Sequence, residues 1–268
     1  MEAPRRISLG GVVSELADAV LPVVEEVTHL PVGESPVIRL VTPESWHEAR
    51  AAYTERVITR DVRDFGLPES AVDVIRRSPL AGPSQHDLLW QLIEGTVIET
   101  EEWEPEILLV PDALSAWGVE DDGLTKVLAH HLARVAQHRA SDGRAFLAHT
   151  TLLREVRGWP DIAPAHALHG HARWADGEVT TRLIGRKIGA RTGRESVDMK
   201  TLMAVVDKGT DTETRQAIQD AGAVWAVDVV TLAGVDTLNL AWADPSLMPT
   251  RDEIADPERW VARVKPLA

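Results

Sequence analysis

Residues 124–139 have the pattern of an amphipathic helix that carries ionisable side chains on and beside its apolar face. At about 100° per residue, apolar and histidine side chains share one stripe: Leu124, Leu128, His131, Val135 and His138. His130 and Arg134 lie on the flank of this stripe, one turn apart. The spacing of the histidines therefore decides what this helix can bind.

The histidine spacing gives little support to a metal site made by this helix alone. His131 and His138 are seven residues apart and share a face, but about 10 Å of helix axis separates them. That separation is too large for one metal ion with ligand bonds of about 2 Å. No two histidines of the segment have the three- or four-residue spacing of a chelating pair.

The composition is that of a globular protein with a sizeable core and an acidic surface. The 268 residues are 44% hydrophobic and 26% charged, which suits one large domain or two small ones. The net charge of -14 repels phosphate backbones, so we expect no nucleic-acid partner. The chain has no cysteine, which excludes disulfides, thiolate metal ligands and a cysteine nucleophile.

No segment has the pattern of a membrane or export signal. The N-terminal residues 1–13 lack the apolar core of a signal peptide. No apolar stretch is long enough to span a bilayer. We therefore expect a cytoplasmic protein with no membrane partner; its oligomeric state is left open.

The order of the predicted elements indicates an α+β fold, mainly helical with a small β-sheet. The β-branched runs fall early, and strands are predicted at 37–41, 95–100 and 107–110. Helical periodicity dominates the rest. Helices are predicted at 14–30, 43–59, 66–77, 124–139, 144–157, 164–188, 198–208 and 211–233, with Gly222 a weak point in the last. Loops are predicted at 78–85 and 189–198.

The chain divides into two segments that we expect to form one compact unit. Residues 1–123 hold the first helices and the sheet, and residues 124–268 hold the helices with the candidate site residues.

A second histidine cluster lies on the helix that begins at Pro164. His166, His169 and His171 fall within six residues, and His166 and His169 have the spacing of side chains that can share a ligand. Carboxylates nearby in the sequence can orient a histidine through its second ring nitrogen. They are Glu155, Asp161, Asp176 and Glu178.

The two histidine segments together resemble a family of zinc peptidases. His130-His131-Leu132-Ala133-Arg134 has the register of His-Glu-x-x-His, and His169-Gly170-His171-Ala172 that of Glu-Gly-His-Ala. This pairing resembles the zincin-like, zinc-dependent metalloproteases of the actinobacterial group associated with coenzyme F420 biosynthesis. The resemblance spans roughly residues 37–262, including Trp242, Asp256-Pro257 and Trp260. It implies a zincin-like domain whose two metal-site motifs are degenerate.

The resemblance assigns a role to each matching position. His130 matches the first zinc ligand, Arg134 the second and His169 the third, while His131 matches the general base. Arg134 cannot bind a metal, because a guanidinium has no free lone pair and carries a fixed positive charge. A histidine can still act as a base near neutral pH.

Three functions follow as alternatives. The first is a non-proteolytic enzyme without a cofactor, acting on a small molecule or peptide, with Arg134 as fixed cation and His131, His169 and His171 as acid–base groups. The second is a non-catalytic pseudopeptidase that binds such a ligand. The third is a zinc enzyme with rearranged ligands: His130, His169 and one of His138, His166 or His171. A role in specialised metabolism rests on the resemblance alone.

Overall fold

The structure is a computed structural model, and it describes most of the chain. The described residues are 8–66, 70, 72–73, 90, 94–151, 154–189 and 212–267. The helices predicted at 66–77 and 198–208 and the loops at 78–85 and 189–198 lie almost entirely outside these residues.

The described elements form a small sheet and a larger set of helices. The strands are β1 (Val37–Leu40), β2 (Gly95–Glu99) and β3 (Pro105–Leu109). The helices are α1 (Leu9–Thr28), α2 (Pro43–Phe65), α3 (Pro111–Ala116), α4 (Asp121–Ala140), α5 (Arg144–Thr150), α6 (Pro164–Ile184), α7 (Thr212–Ala233), α8 (Val235–Ala243), α9 (Arg251–Ala255) and α10 (Pro257–Val264). The predicted α+β class is confirmed.

The three strands form one mixed sheet in the order β1-β3-β2. β1 runs parallel to β3, with Val37 opposite Glu106, and β2 runs antiparallel to β3, with Gly95 opposite Leu109. All five residues of β3 are buried, as expected for a central strand covered on both faces. The strands predicted from the β-branched runs are confirmed to within two residues at each end.

Several helix ends differ from the prediction, each for a local reason. α1 begins at Leu9 because the hydroxyl of Ser8 accepts a hydrogen bond from the amide of Gly11. α2 continues to Phe65 and ends at Gly66, which adopts the left-handed conformation of a helix C-cap. The helix predicted at 144–157 is two elements, because Thr151 leaves the helical conformation, and a separate 3-10 turn follows at Arg154–Arg157.

Gly222 is a packing residue of α7 rather than a weak point. α7 is continuous from Thr212 to Ala233. A Cβ atom added to Gly170 of α6 would lie 2.0 Å from the carbonyl carbon of Gly222. The two glycines therefore let the backbones of α6 and α7 touch, where any side chain would force the helices apart.

One hydrophobic core joins the two predicted segments. It contains Val20 and Val24 from α1, Ile107 from β3, Leu128 from α4 and Leu168 from α6. Within the ranges given above, no helix is both long and apolar enough to cross a membrane.

Candidate functional site

The packing of α4 against α6 brings the two histidine segments together. The Nη1 group of Arg134 on α4 donates a hydrogen bond to Nδ1 of His169 on α6, with 3.1 Å between the nitrogens. The two residues are 35 positions apart in the sequence. The structure thus unites the positions that the resemblance assigns to the second and third zinc ligands.

Arg134 is a buried cation with little to neutralise it. Its relative exposure is 6%, and its guanidinium carbon lies 4.9 Å from the centre of the Phe146 ring. Its Nε is buried without a hydrogen-bond partner, and no acidic side chain of the described residues forms an ion pair with it. Burial lowers the pKa of Arg134 to about 10, so the side chain stays charged at neutral pH.

His149 joins this group from α5, although no sequence motif contains it. Its ring stands edge-on to that of His169, with 5.6 Å between the ring centres. Burial, reinforced by the charge of Arg134, lowers the pKa of His149 to about 3 and that of His169 well below its usual value. Both imidazoles are therefore neutral at physiological pH.

His130 is oriented by a buried carboxylate. Its Nδ1 lies 3.0 Å from Oδ2 of Asp176, and Nζ of Lys126 lies 3.7 Å from the same oxygen. Burial raises the pKa of Asp176 to about 7, although Lys126 opposes the shift. When Asp176 is ionised, Nδ1 of His130 must donate the hydrogen bond, which leaves Nε2 as an acceptor.

Sequence analysis indicated four carboxylates that could orient a histidine. Of these, Asp176 contacts the site. Glu178 instead forms an ion pair with Lys187 at 3.0 Å, and Asp161 is exposed to solvent. The side chain of Glu155 lies outside the described part of the chain.

His131 packs against the sheet. Its ring stands edge-on to that of His130, with 5.4 Å between the ring centres. A Cβ atom added to Gly95 of β2 would lie 2.6 Å from Nε2 of His131. Burial lowers the pKa of His131 well below its usual value. The glycine thus makes room for the imidazole at the edge of the sheet.

His171 lies inside the core. It is fully buried, and its ring packs within 5.2 Å of Trp242 and 5.4 Å of Trp174, measured between ring centres. Nε2 of Gln137 donates a hydrogen bond of 2.7 Å to its Nδ1. The catalytic role suggested for His171 stays a prediction, and the site proposed below does not use it.

His138 belongs to a separate buried network around Glu99. The carboxylate of Glu99 lies 3.0 Å from Nε2 of His138 and accepts a hydrogen bond of 2.7 Å from the hydroxyl of Tyr53. Burial, followed by the charge of Glu99, raises the pKa of Tyr53 above its usual value. No pattern in the sequence pointed to this pairing of α2, β2 and α4.

The side chains at the meeting point of α4 and α6 do not fit a zinc ion. The guanidinium of Arg134 occupies the contact with His169, and its hydrogen bond uses the lone pair of His169 Nδ1. No group of three His, Cys, Asp or Glu among the described residues is arranged to hold a metal. His138, His166 and His171 are not placed to complete such a set there.

A comparison with known proteins identifies the fold family. The model of the family "Zincin-like metallopeptidase" matches residues 89–261. This chain therefore belongs to the zincin-like metallopeptidase family.

The whole chain also resembles a crystal structure from Chloroflexus aurantiacus, assigned as a candidate hydrolase with a novel fold. The TM-score is 0.58 at 14% identity, and the similarity covers 98% of this chain and 92% of the other. At this identity the likeness concerns the fold alone. No curated protein gives a significant match.

Proposed function

We propose that this member of the zincin-like family is a non-proteolytic enzyme that acts without a metal on a small molecule or peptide carrying an anionic group. The observation that carries the proposal is the position of Arg134. Its guanidinium lies against His169 at the meeting point of the two motif helices, buried and with no acidic partner among the described residues. A fixed cation there can stabilise negative charge that develops on a substrate.

His130 is the base that the geometry favours. The ionised form of Asp176 accepts a hydrogen bond from Nδ1 of His130, so the lone pair of Nε2 is then available to accept a proton. The pKa of His130 lies well below its usual value because of burial, so the ring is in the unprotonated form at neutral pH. An imidazole oriented by a carboxylate is a common arrangement in general base catalysis.

His169 complements this base as a hydrogen-bond donor. Because its Nδ1 accepts from Arg134, the ring proton of the neutral form is on Nε2. His131, the position matched to the general base of the family, packs beside His130 and Gly95. We assign His131 a supporting role, in which its ring holds that of His130.

One observation favours a non-catalytic binding protein as the second candidate. Burial lowers the pKa of every imidazole described here at the site: His130, His131, His149 and His169. None of them is an imidazolium at neutral pH, which is the form of histidine that gives a proton to a leaving group. A pseudopeptidase that holds an anionic ligand without turnover has the same side chains.

A turnover screen separates these functions. The full chain is assayed with peptides and with small esters and amides, with and without EDTA, beside the variants His130→Gln and His166→Gln. His166 is a matched control because it lies on the same helix as His169, but its pKa is lowered by burial and by the charge of Arg251, not by that of Arg134. We expect EDTA-resistant activity that His130→Gln lowers by about 10²- to 10⁴-fold, the usual contribution of a general base.

Other outcomes of the screen identify the alternatives. Activity that EDTA abolishes and zinc restores would establish the metalloenzyme with rearranged ligands. Ligand binding without turnover would establish the pseudopeptidase. The association with coenzyme F420 biosynthesis, a role in specialised metabolism and a cytoplasmic location remain predictions.

A further inference from the structure

We infer that Arg134, His149 and His169 form a binding site for a single carboxylate group of the ligand. The inference rests on the proposed function for the anionic character of that ligand. It goes further by naming the chemical group and by adding His149, which lies on α5 and belongs to neither motif.

The positive charge of Arg134 is not balanced by the buried acids near it. The two buried acids nearest to the motif helices are already engaged: Glu99 with Tyr53 and His138, and Asp176 with His130 and Lys126. A buried guanidinium without a counter-ion is costly, because water no longer solvates its charge. Among the residues that the structure describes, the ring of Phe146 and Nδ1 of His169 offset part of this cost, but no negative charge balances the guanidinium, and an anionic ligand would supply one.

The donors at the site suit a planar carboxylate. The Nε group of Arg134 is buried and has no partner, while only Nη1 is engaged by His169. A guanidinium offers its remaining N–H groups as a fork that matches the two oxygens of a carboxylate. The ring of His169 contacts the guanidinium directly, and the ring of His149 on α5 packs edge-on against that of His169 at 84°.

A carboxylate balances this site better than a phosphate does. The site holds one fixed positive charge, and the bordering imidazoles are neutral. A carboxylate brings one negative charge, whereas a phosphate monoester brings nearly two at neutral pH. The excess negative charge of a phosphate would be buried without a partner.

The histidines around Arg134 reach the protein surface. Arg134 itself is nearly covered, but His130, His149 and His169 are each partly exposed. We infer that a ligand reaches the guanidinium past these rings, with its carboxylate inside and the rest of the molecule towards solvent. Both the C-terminus of a peptide and a small organic acid have such a group.

Calorimetric titration and thermal unfolding of the full chain test the inference at constant ionic strength. The probes are an N-acetylated tripeptide with a free C-terminus, the same tripeptide with an amidated C-terminus, acetate and inorganic phosphate. The variants are Arg134→Gln, His149→Phe and, as control, Arg182→Gln. Arg182 lies on the same α6 helix as His169, but it pairs with Glu26 at the surface.

We expect acetate or the free-acid tripeptide to bind and to raise the melting temperature. The amidated peptide and phosphate should do neither. Arg134→Gln should weaken carboxylate binding by about tenfold or more, since it removes a charge-assisted contact. His149→Phe should weaken it less, and Arg182→Gln should leave it unchanged. Binding of the tripeptide but not of acetate would identify a peptide terminus as the source.

Two outcomes would overturn the inference. One is that neither carboxylate probe binds to the folded wild-type protein. The other is that Arg134→Gln binds them as strongly as the wild type does. Carboxylate binding without turnover would instead contradict the proposed enzyme and leave this site in place.

Discussion

Arg134 donates a hydrogen bond to His169 across the contact between α4 and α6, with 3.1 Å between the two nitrogens. In the register of the family resemblance, this contact joins two positions that would otherwise share a metal. The guanidinium of Arg134 and the lone pair of His169 Nδ1 stand where the family motif has two zinc ligands. We therefore expect a guanidinium to set the chemistry of the site.

Replacement of Arg134 by methionine is expected to stabilise the fold. Methionine keeps much of the buried volume and removes a charge without an acidic partner among the described residues. Replacing a buried ion pair with apolar groups is often neutral or stabilising by about 1 to 4 kcal/mol, and an unpaired buried charge has the same desolvation cost without the attraction of a partner. Urea denaturation of Arg134→Met and the wild type measures the difference. A loss of stability would show that the contacts of Arg134 in the native protein outweigh the cost of burying its charge.

Replacement of Arg134 by histidine is expected to create a zinc site. His130 and a new histidine at 134 would have the spacing of a chelating pair, and His169 lies across from them. Elemental analysis after purification without added metal should give about one zinc per chain for Arg134→His. The wild type and Arg182→His should contain much less. Equal zinc in the wild type would contradict the assignment of Arg134 as the cation of the site.

Substitution of Gly170 or Gly222 is expected to force α6 and α7 apart. The added Cβ of Gly170→Ala would meet the backbone of Gly222 at 2.0 Å, and that of Gly222→Ala would meet the carbonyl oxygen of His166 at 2.1 Å. Overpacking of this kind costs about 1 to 3 kcal/mol or more. Thermal unfolding checks this, with Gly189→Ala as control, since a Cβ there meets nothing within 4 Å.

Acid is expected to destabilise the protein through His171. Burial, reinforced by the charges of Arg134 and His130, lowers its pKa to about 3 from about 6.5. Between these values the unfolded chain binds the proton and the folded chain does not. The contribution of His171 to the free energy of unfolding is therefore complete above pH 6.5. It is lost as the pH falls towards 3, by about 1.4 kcal/mol per pH unit.

The variant His171→Phe isolates this contribution. The stability of this variant should depend less steeply on pH between about 3 and 6.5, because a phenyl ring takes up no proton when the chain unfolds. Asp176 has a raised pKa and acts in the opposite direction, but it is present in both proteins and cancels in the comparison. Parallel pH dependences of the two proteins would exclude His171 as the origin.

Periodicity and short motifs determined much of the fold, because they depend on neighbouring residues. The runs at 37–41 and 107–110 predicted strands, and helical spacing predicted α4, α6 and α7. The predicted helix boundaries were less accurate, because each depends on a single residue at the helix end, such as Ser8 or Gly66.

The sequence by itself determined that the chain is α+β, that His130 and Arg134 share a helix face, and that His169 lies on a second helix. Only the tertiary structure decided which partners these side chains have. Asp176 forms a hydrogen bond with His130, which is 46 positions away in the sequence. The ring of His149 packs against that of His169, although no sequence motif includes its helix. Periodicity describes one helix at a time, whereas the partners of a buried charge depend on how separate helices cross. That crossing is decided by contacts such as the one between Gly170 and Gly222.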